Sequence, residues 1–261
     1  MNEKIKAFAE TKQLEAAAHA LCDALRGTVR ETLMQDGADV PVSYMQVGDM
    51  YVNSRPTSRS TLDRDALKAF LANNADVLDK AGLTQDSFFQ SRETVQFRLG
   101  KKYGGGELAA LTKALKAADV KVPEAFEKIV GQPMPESGEG HDISYSLSVL
   151  TRAYAQAKAV EQSAGLELEK QKQELLADLG VGKHEGLSIL SVKTAPSFDR
   201  ELFAATFPDA DLPKKTTTSW VCEILDQRLY DMRMSFSAKH RTPEPDTPSM
   251  DDDIEGFSPA L

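Results

Sequence analysis

One pattern of residues occurs twice in this chain and constrains its fold more than any other feature. The copies span residues 57–99 and 194–224. In each, an extended Thr/Ser-rich stretch leads into an apolar–Asp–Arg–acidic step, a short amphipathic helix and a second alternating stretch. Asp63 and Asp199 are predicted to be the N-caps of these helices. A carboxylate at the N-cap accepts hydrogen bonds from the unpaired N–H groups of the first turn. We interpret the pattern as an internal duplication; a chance match of a common helix start is the alternative.

A long helical pattern precedes each copy. Apolar residues recur every three or four positions over residues 3–35 and again over residues 146–179, as on one face of a helix. The second stripe is narrow and flanked by Glu and Lys, which favours helix-on-helix packing. Its partner is either the first helix or the same helix of a second subunit, which would make a homo-oligomer.

The sequence therefore predicts an α+β fold with two repeated units, each a long helix followed by a small antiparallel sheet with a short capped helix. Residues 42–51 predict two short strands of a hairpin, and residues 94–99 and 187–192 alternate as strands. The predicted division is 1–103 for the first unit, 104–142 for a helical connector and linker, 143–240 for the second unit and 241–261 for a disordered acidic tail. The tail has too few large apolar residues to offset its ordering entropy.

Charge is distributed unevenly along the chain. The net charge is −9, but residues 55–102 hold nine Lys and Arg against six acids, and residues 241–261 hold one Arg against six acids. The acidic total therefore hides a mildly basic first unit. Cys22 and Cys222 lie in apolar patterns, as free thiols of a reducing cytoplasm do. The chain shows neither a signal-peptide pattern nor a membrane-spanning apolar run, so we expect a cytoplasmic protein without membrane association.

The sequence offers no catalytic constellation. The four histidines, at positions 19, 141, 184 and 240, lack a second ligand at helical or turn spacing. The only Glu-x-Lys, at residues 10–12, has no preceding Asp to complete a two-metal nuclease site. The glycine-rich loop at residues 100–106 is not followed by Gly-Lys-Ser/Thr, as a phosphate-binding loop would be. We therefore expect a non-enzyme without metal or cofactor.

Basic and aromatic residues are mixed in and around both copies, as in proteins that hold single-stranded nucleic acid by phosphate contacts and base stacking. The candidate nucleic-acid-binding residues are Arg55, Arg59, Phe88, Phe89, Arg92, Arg98, Lys101, Lys102, Tyr103, Lys193, Lys214 and Lys215. The alternative is structural. Trp220 accompanies Lys193, Lys214 and Lys215 in the second copy, but both Phe97 and Trp220 are predicted to lie in the core. Lys or Arg on a strand edge prevents pairing with other chains.

The C-terminal segment resembles the acidic tip of bacterial single-stranded-DNA-binding proteins, in which an Asp-rich run leads into Ile and a final Phe. The residues that carry this resemblance are Asp251, Asp252, Asp253, Ile254 and Phe257. Here four residues follow Phe257, so the terminal carboxylate is not on the Phe. The resemblance implies recruitment of host or phage replication and recombination proteins. A solubilising acidic tail is the alternative.

The second copy is similar to a small segment near the end of lambda-exonuclease-like phage nucleases and of their small neighbours. The order Phe198-Asp199, Phe207-Pro208 and Thr217-Thr218-Ser219-Trp220 carries this resemblance, and the first copy follows the same outline more loosely. The nuclease core is absent. The resemblance implies a setting in phage DNA recombination or replication.

These observations predict a non-enzymatic phage-type accessory protein that binds DNA, with single-stranded DNA as the preferred form. Two alternatives remain open. One is a protein-binding inhibitor of a host nuclease or anti-phage defence complex, and the other is a virion assembly or scaffold protein.

Overall fold

The computed structural model describes residues 2–35, 44–135 and 143–239 of the chain. The helices in these ranges are α1 (Asn2–Gln35), α2 (Arg64–Asn73), α3 (Ala75–Ala81), α4 (Glu107–Ala117), α5 (Val122–Val130), α6 (Ile143–Leu179), α7 (Arg200–Thr206) and α8 (Gln227–Lys239). The strands are β1 (Met45–Val47), β2 (Met50–Leu62), β3 (Phe89–Gln90), β4 (Glu93–Leu99), β5 (Gly182–His184), β6 (Leu187–Lys193), β7 (Ser197–Phe198) and β8 (Lys214–Asp226). The predicted α+β class is confirmed.

The long helices α1 and α6 pack against each other in antiparallel orientation and form the base of the molecule. At one end of the pair Lys4 Nζ lies 2.6 Å from Asp178 Oδ2, and in the middle His19 Nδ1 lies 3.0 Å from Glu161 Oε1. The apolar stripe predicted for α1 is buried from Ala17 to Leu33. Of the two predicted partners for the second helix, the structure contains the first helix of the same chain.

The remaining helices of the connector complete the main core on one side of this pair. Helices α4 and α5 pack on α1, and α5 also contacts α6. Their buried residues, including Leu111, Leu115 and Phe126, join the same hydrophobic cluster as Leu21 and Leu25 of α1. Pro123 lies in the first turn of α5, where no intrahelical N–H is needed.

Each three-stranded sheet combines a hairpin from one half of the chain with a single strand from the other half. The orders are β1-β2-β8 and β4-β6-β5, and all pairs are antiparallel. The two units that the sequence predicts therefore share their sheets. The reason is geometric: α1 and α6 run in opposite directions, so their hairpins form at opposite ends of the base.

The order of long helix, hairpin, capped helix and strand is found in both halves. Asp63 Oδ1 accepts hydrogen bonds from the N–H groups of Asp65 and Ala66, and Asp199 Oδ1 accepts one from the N–H of Leu202. Both predicted N-caps are thus confirmed. The hairpins also match, since both have two-residue turns, at Gly48-Asp49 and Glu185-Gly186.

The predicted hairpin of two short strands is only half correct, because its second strand has 13 residues. β2 pairs with β8 over its full length, from Met50 opposite Asp226 to Leu62 opposite Lys214. We call this pair the first ribbon. The Thr/Ser stretch at residues 57–61 belongs to it because hydroxyl and basic side chains suit a strand that exposes both of its faces to water.

A second ribbon is formed by β4 with β6 and, after an irregular step, by β3 with β7. At the step the N–H of Thr194 donates to the carbonyl of Arg92 at 2.8 Å, and the N–H of Arg92 donates to Thr194 Oγ1 at 3.0 Å. One strand has three residues in this step and the other has two, so the ribbon contains a bulge.

Both ribbons end in a small helical unit, which we call the cap, built from α2, α3, α7 and a 3₁₀ turn at Gln85–Phe88. Its core includes Leu67, Leu71, Phe88 and Phe203, and it is separate from the two cores of the base. The ribbons therefore connect two independently packed bodies. The proposed disordered tail at residues 241–261 and part of the predicted linker, residues 136–142, lie outside the described residues.

Replacing Gly186 by Ala should destabilise the fold, because Gly186 has a φ of +83° and an added Cβ would lie 2.5 Å from Tyr103 Cε2 and 2.6 Å from Lys102 Cε. We expect a loss of about 1–3 kcal/mol in the free energy of unfolding, measured by urea denaturation. Gly105→Ala is the matched control, since no atom of the described residues lies within 4 Å of its added Cβ. Equal urea midpoints for the two variants would contradict the described packing of this turn.

Candidate nucleic-acid interface

The outer part of the first ribbon is exposed on both faces. Residues 56–61 of β2 and 214–220 of β8 lie between the base and the cap, and all of them except the half-buried Thr57 are exposed. These 13 residues contain eight Ser and Thr hydroxyls, three cations and no acid. The cations are Arg59, Lys214 and Lys215. This segment therefore carries a net charge of +3 in a protein whose total is −9.

The two faces of this ribbon differ in chemistry because side chains alternate along each strand. On one face Ser58 Oγ lies 3.2 Å from Thr218 Oγ1, and Ser60 Oγ lies 3.4 Å from Thr216 Oγ1. These pairs form a ladder of hydroxyls.

The opposite face carries two of the three cations, whereas Lys214, opposite Leu62, shares the face of the hydroxyl ladder. Arg59 is paired with Thr217, and Lys215 is paired with Thr61 two positions further along the ribbon. Such diagonal neighbours in an antiparallel pair lie about 7–8 Å apart, close enough to contact one phosphate backbone together. The structure brings these two predicted residues to one surface.

Trp220 is exposed to 50%, so its predicted core position is wrong. It lies in β8 opposite Pro56, at the point where the ribbon leaves the base. The strand is half-buried at Cys222 and fully buried at Ile224, whereas Trp220 lies beside α1 with half of its surface open. Period-2 alternation identifies the face of a strand but not where its cover ends, so the sequence could not separate Trp220 from the core residues that follow it.

A cavity of about 310 Å³ lies between Trp220 and α1. Its lining includes Asp23, Arg26, Arg30, Trp220 and Cys222. Arg26 and Arg30 are one helical turn apart, and Arg26 forms an ion pair with Asp23. These two arginines were not predicted as site residues, because charges on a long helix ordinarily mark its solvated face. Only the path of β8 over α1 makes them part of a site.

The pKa of the Cys222 thiol depends on burial and on the charges that line this cavity. Burial raises the pKa of Cys222 to about 11, and the positive charges of Arg26 and Arg30 oppose that rise. The thiol is therefore neutral at neutral pH. Cys22, deeper in the helix pair, has its pKa raised to about 12 by burial and then by the neighbouring carboxylate of Glu161. Neither cysteine has the lowered pKa of a catalytic nucleophile.

The second ribbon also exposes basic residues, but acids accompany them. Arg92, Arg98 and Lys193 are exposed; Lys193 stands opposite Glu93, and the Arg98 guanidinium donates to Gln96 Oε1 at 3.2 Å. A cavity of about 440 Å³ next to Arg92 is lined by two acids, at positions 199 and 201, as well as by Arg200. The cations of the second ribbon are thus accompanied by acids, unlike those in the outer part of the first ribbon.

Of the two predicted aromatic contacts Phe88 and Phe89, the structure contradicts Phe88. Phe88 is completely buried in the cap, where its ring lies 6.2 Å from those of Phe203 and Phe207. Phe89 is half-buried, with its ring 5.8 Å from that of Phe198. The Phe88 ring is not available to stack on a base because the 3₁₀ turn directs it into the core of the cap, whereas Phe89 as a base contact stays a prediction.

The loop after β4 has a structural role. Lys102 Nζ lies 3.2 Å from Glu185 Oε1 and 5.0 Å from the centre of the Tyr103 ring. Tyr103 packs against the core that contains Phe8 and Leu187. Tyr103 is half-buried, so base stacking on it stays a prediction, and Lys101 beside it is exposed.

Some predicted site residues have side chains outside the described part of the structure. The backbone of Arg55 lies in β2 opposite Val221, but its side chain is outside the described part. The predicted partner-binding residues of the tail lie outside the described residues altogether, and they are Asp251, Asp252, Asp253, Ile254 and Phe257.

Comparisons of this chain with models of known protein families, with characterised proteins and with solved structures gave no match. The similarities to phage nucleases and to the acidic tip of single-stranded-DNA-binding proteins therefore stay predictions. In residues 2–35, 44–135 and 143–239, no group of three or more His, Cys, Asp or Glu side chains is placed to hold a metal ion. No helix of that part of the chain has the length and apolar character needed to cross a membrane.

The raised thiol pKa values predict slow alkylation. At pH 8 we expect Cys222 to react with iodoacetamide roughly 100-fold more slowly than glutathione, because a pKa of about 11 leaves little thiolate. The rate should rise about tenfold per pH unit between pH 8 and 10, as measured by mass spectrometry of the peptide that contains Cys222. A rate equal to that of glutathione at pH 8 would show that this thiol is not buried as described.

Proposed function

We propose that this chain is a non-enzymatic accessory protein of phage-type DNA recombination or replication that acts in the host cytoplasm and binds single-stranded DNA along the first ribbon. The observation that carries the proposal is the outer part of that ribbon, which is exposed, has three cations and lacks acids. Phosphate neutralisation by Lys and Arg supplies most of the affinity in sequence-independent binding. On the other face the hydroxyl ladder and Lys214 add further donors, and hydroxyls contact phosphate and sugar oxygens in such interfaces.

The negative charge of the cap favours the first ribbon over the cap as the place where DNA binds. Residues 63–90 and 197–213 contain nine acids against four basic residues. A negative cap next to a positive ribbon repels the phosphate backbone from the cap and restricts it to the ribbon. The acidic tail, if it functions as the resemblance implies, either recruits replication and recombination proteins or competes with DNA for the ribbon.

Single-stranded DNA is preferred in this proposal because an exposed Trp lies at one end of the ribbon. Aromatic faces are accessible to bases in single strands and not in a stacked duplex. A two-stranded ribbon also fits the major groove of B-DNA, so a duplex of the same sequence is the direct comparison. Tighter binding of the duplex would contradict the single-strand part of the proposal.

A double charge reversal tests the ribbon. Arg59→Glu with Lys215→Glu should weaken binding of fluorescein-labelled dT20 at least about tenfold at 50 mM salt, because two phosphate contacts become repulsive. The matched control is Lys68→Glu with Lys80→Glu, which makes the same charge change at exposed positions of the cap. The control should change the dissociation constant less than about twofold, measured by fluorescence anisotropy.

The salt dependence of the wild-type protein belongs to the same test. Three phosphate contacts predict a slope of about −2 in a plot of log association constant against log salt concentration, at about 0.7 per contact for single strands. Equal losses in the ribbon and cap variants, or a slope near zero, would contradict the proposal. Lack of any DNA binding at low salt, with a host protein that co-purifies, would instead support the nuclease-inhibitor alternative.

A further inference from the structure

We propose that Trp220, Arg26 and Arg30 form a binding site for a single nucleobase and its adjacent phosphate, at the point where the first ribbon meets the base. The proposal rests on the proposed function and deepens it. It assigns the stacking residue, which the sequence pattern places in the core, and it adds two phosphate ligands from a helix outside both sequence copies.

The cavity beside Trp220 is an open groove on the surface with room for one small ring system. Trp220 is half exposed at the edge of the main core, and the 310 Å³ cavity beside it is lined on its other side by α1. This volume is at the lower end of the range for small-ligand sites. A base that stacks on the indole covers apolar ring surface that the fold leaves in contact with water.

The charges around the cavity favour a phosphate. Arg26 and Arg30 approach it from α1, and Asp23 forms an ion pair with Arg26 that fixes its guanidinium. The Cys222 thiol is neutral, so the cavity lining carries two positive charges and one negative charge. A guanidinium binds phosphate through paired N–H donors, so a phosphate here would share Arg26 with Asp23 and contact Arg30 as its second ligand.

The site is continuous with the ribbon. Trp220 shares its face of β8 with Thr218 and Thr216, whose hydroxyls form the ladder described above. From Trp220 to Thr216 the strand advances about 13 Å, at about 3.3 Å per residue. A strand of DNA that stacks one base on Trp220 therefore continues along hydroxyl donors toward Lys214, on a path without acids.

Other cavities and exposed surfaces of the described residues give less support for a ligand site. The cavity next to Arg92 contains two acids, and the cavity at the turn of the first hairpin includes Asp49 beside Arg152. The exposed Leu229 and Met232 of α8 form an apolar surface without a feature that selects its partner. Of these places in the described ranges, the Trp220 cavity alone combines an aromatic face, two cations and a connection to the positive ribbon.

The chain contains one tryptophan, so its fluorescence reports this site alone. Titration of the wild-type protein with dT15 should quench the emission by more than about half, because a stacked base quenches the indole. A fully abasic 15-mer has the same phosphates but no bases. It should bind more weakly and leave the emission nearly unchanged. Equal quenching by both oligonucleotides, or none by either, would overturn the proposal.

Variants separate stacking from charge. Trp220→Leu should weaken dT15 binding about tenfold by anisotropy, within the range for loss of one stacked base, whereas Trp220→Phe should retain most of the affinity. Arg30→Gln should weaken binding of dT15 and of the abasic 15-mer to a similar extent. Arg200→Gln is the control, because Arg200 is exposed on α7 of the cap, away from the cavity beside Trp220.

The outcomes distinguish this inference from the proposed function. If Trp220→Leu and Arg30→Gln bind dT15 like the wild type while the Arg59→Glu, Lys215→Glu variant does not, the base site is wrong and the ribbon remains the binding surface. If the wild type does not bind dT15 at low salt, both proposals fail. If a variant does not fold, the comparison of dT15 with the abasic 15-mer on the wild-type protein still decides the case.

Discussion

The antiparallel packing of α1 on α6 is the interaction on which the rest of this structure depends. Helices of 34 and 37 residues are about 50 Å long, so their opposite ends lie far apart. Each helix ends where the other begins, and each is followed by a hairpin at its own end. The last strand of each half then completes the hairpin of the other half. A single helix–helix contact thus determines that both sheets contain strands from both halves.

This exchange produces ribbons that extend beyond any core. A two-stranded ribbon is marginally stable in water by itself, and here both ribbons are anchored at two ends, by the base and by the cap. The core of the base holds Val52 and Ile224 of the first ribbon, and the core of the cap packs against Leu62. Lys, Arg and hydroxyl side chains between these anchors keep the exposed segment soluble and prevent edge pairing. The same side chains give it the chemistry of a nucleic-acid surface, so structure and function impose compatible demands on it.

Local features of the fold could be predicted from the sequence, and long-range features could not. Residues 63 and 199 were correctly predicted as N-caps because capping depends only on neighbouring residues. The strand exchange was not predicted, because alternation defines the faces of a strand without naming its partner. For the same reason Phe88 was predicted to be exposed and is buried, and Trp220 was predicted to be buried and is half exposed. Whether an aromatic residue is covered depends on elements that are distant in the sequence. Arg26 and Arg30 belong to the candidate site only through the path of β8.

Contact between the exposed segment of the first ribbon and single-stranded DNA is the central claim. Hydrogen–deuterium exchange of the full chain, with and without saturating dT20, tests it most directly, because the outward N–H groups of this two-stranded segment exchange freely until a ligand covers them. We predict slower exchange at residues 56–61 and 214–220 and unchanged exchange in α2, α3 and α7. Slower exchange confined to the cap or to α8, with the ribbon unchanged, would contradict it.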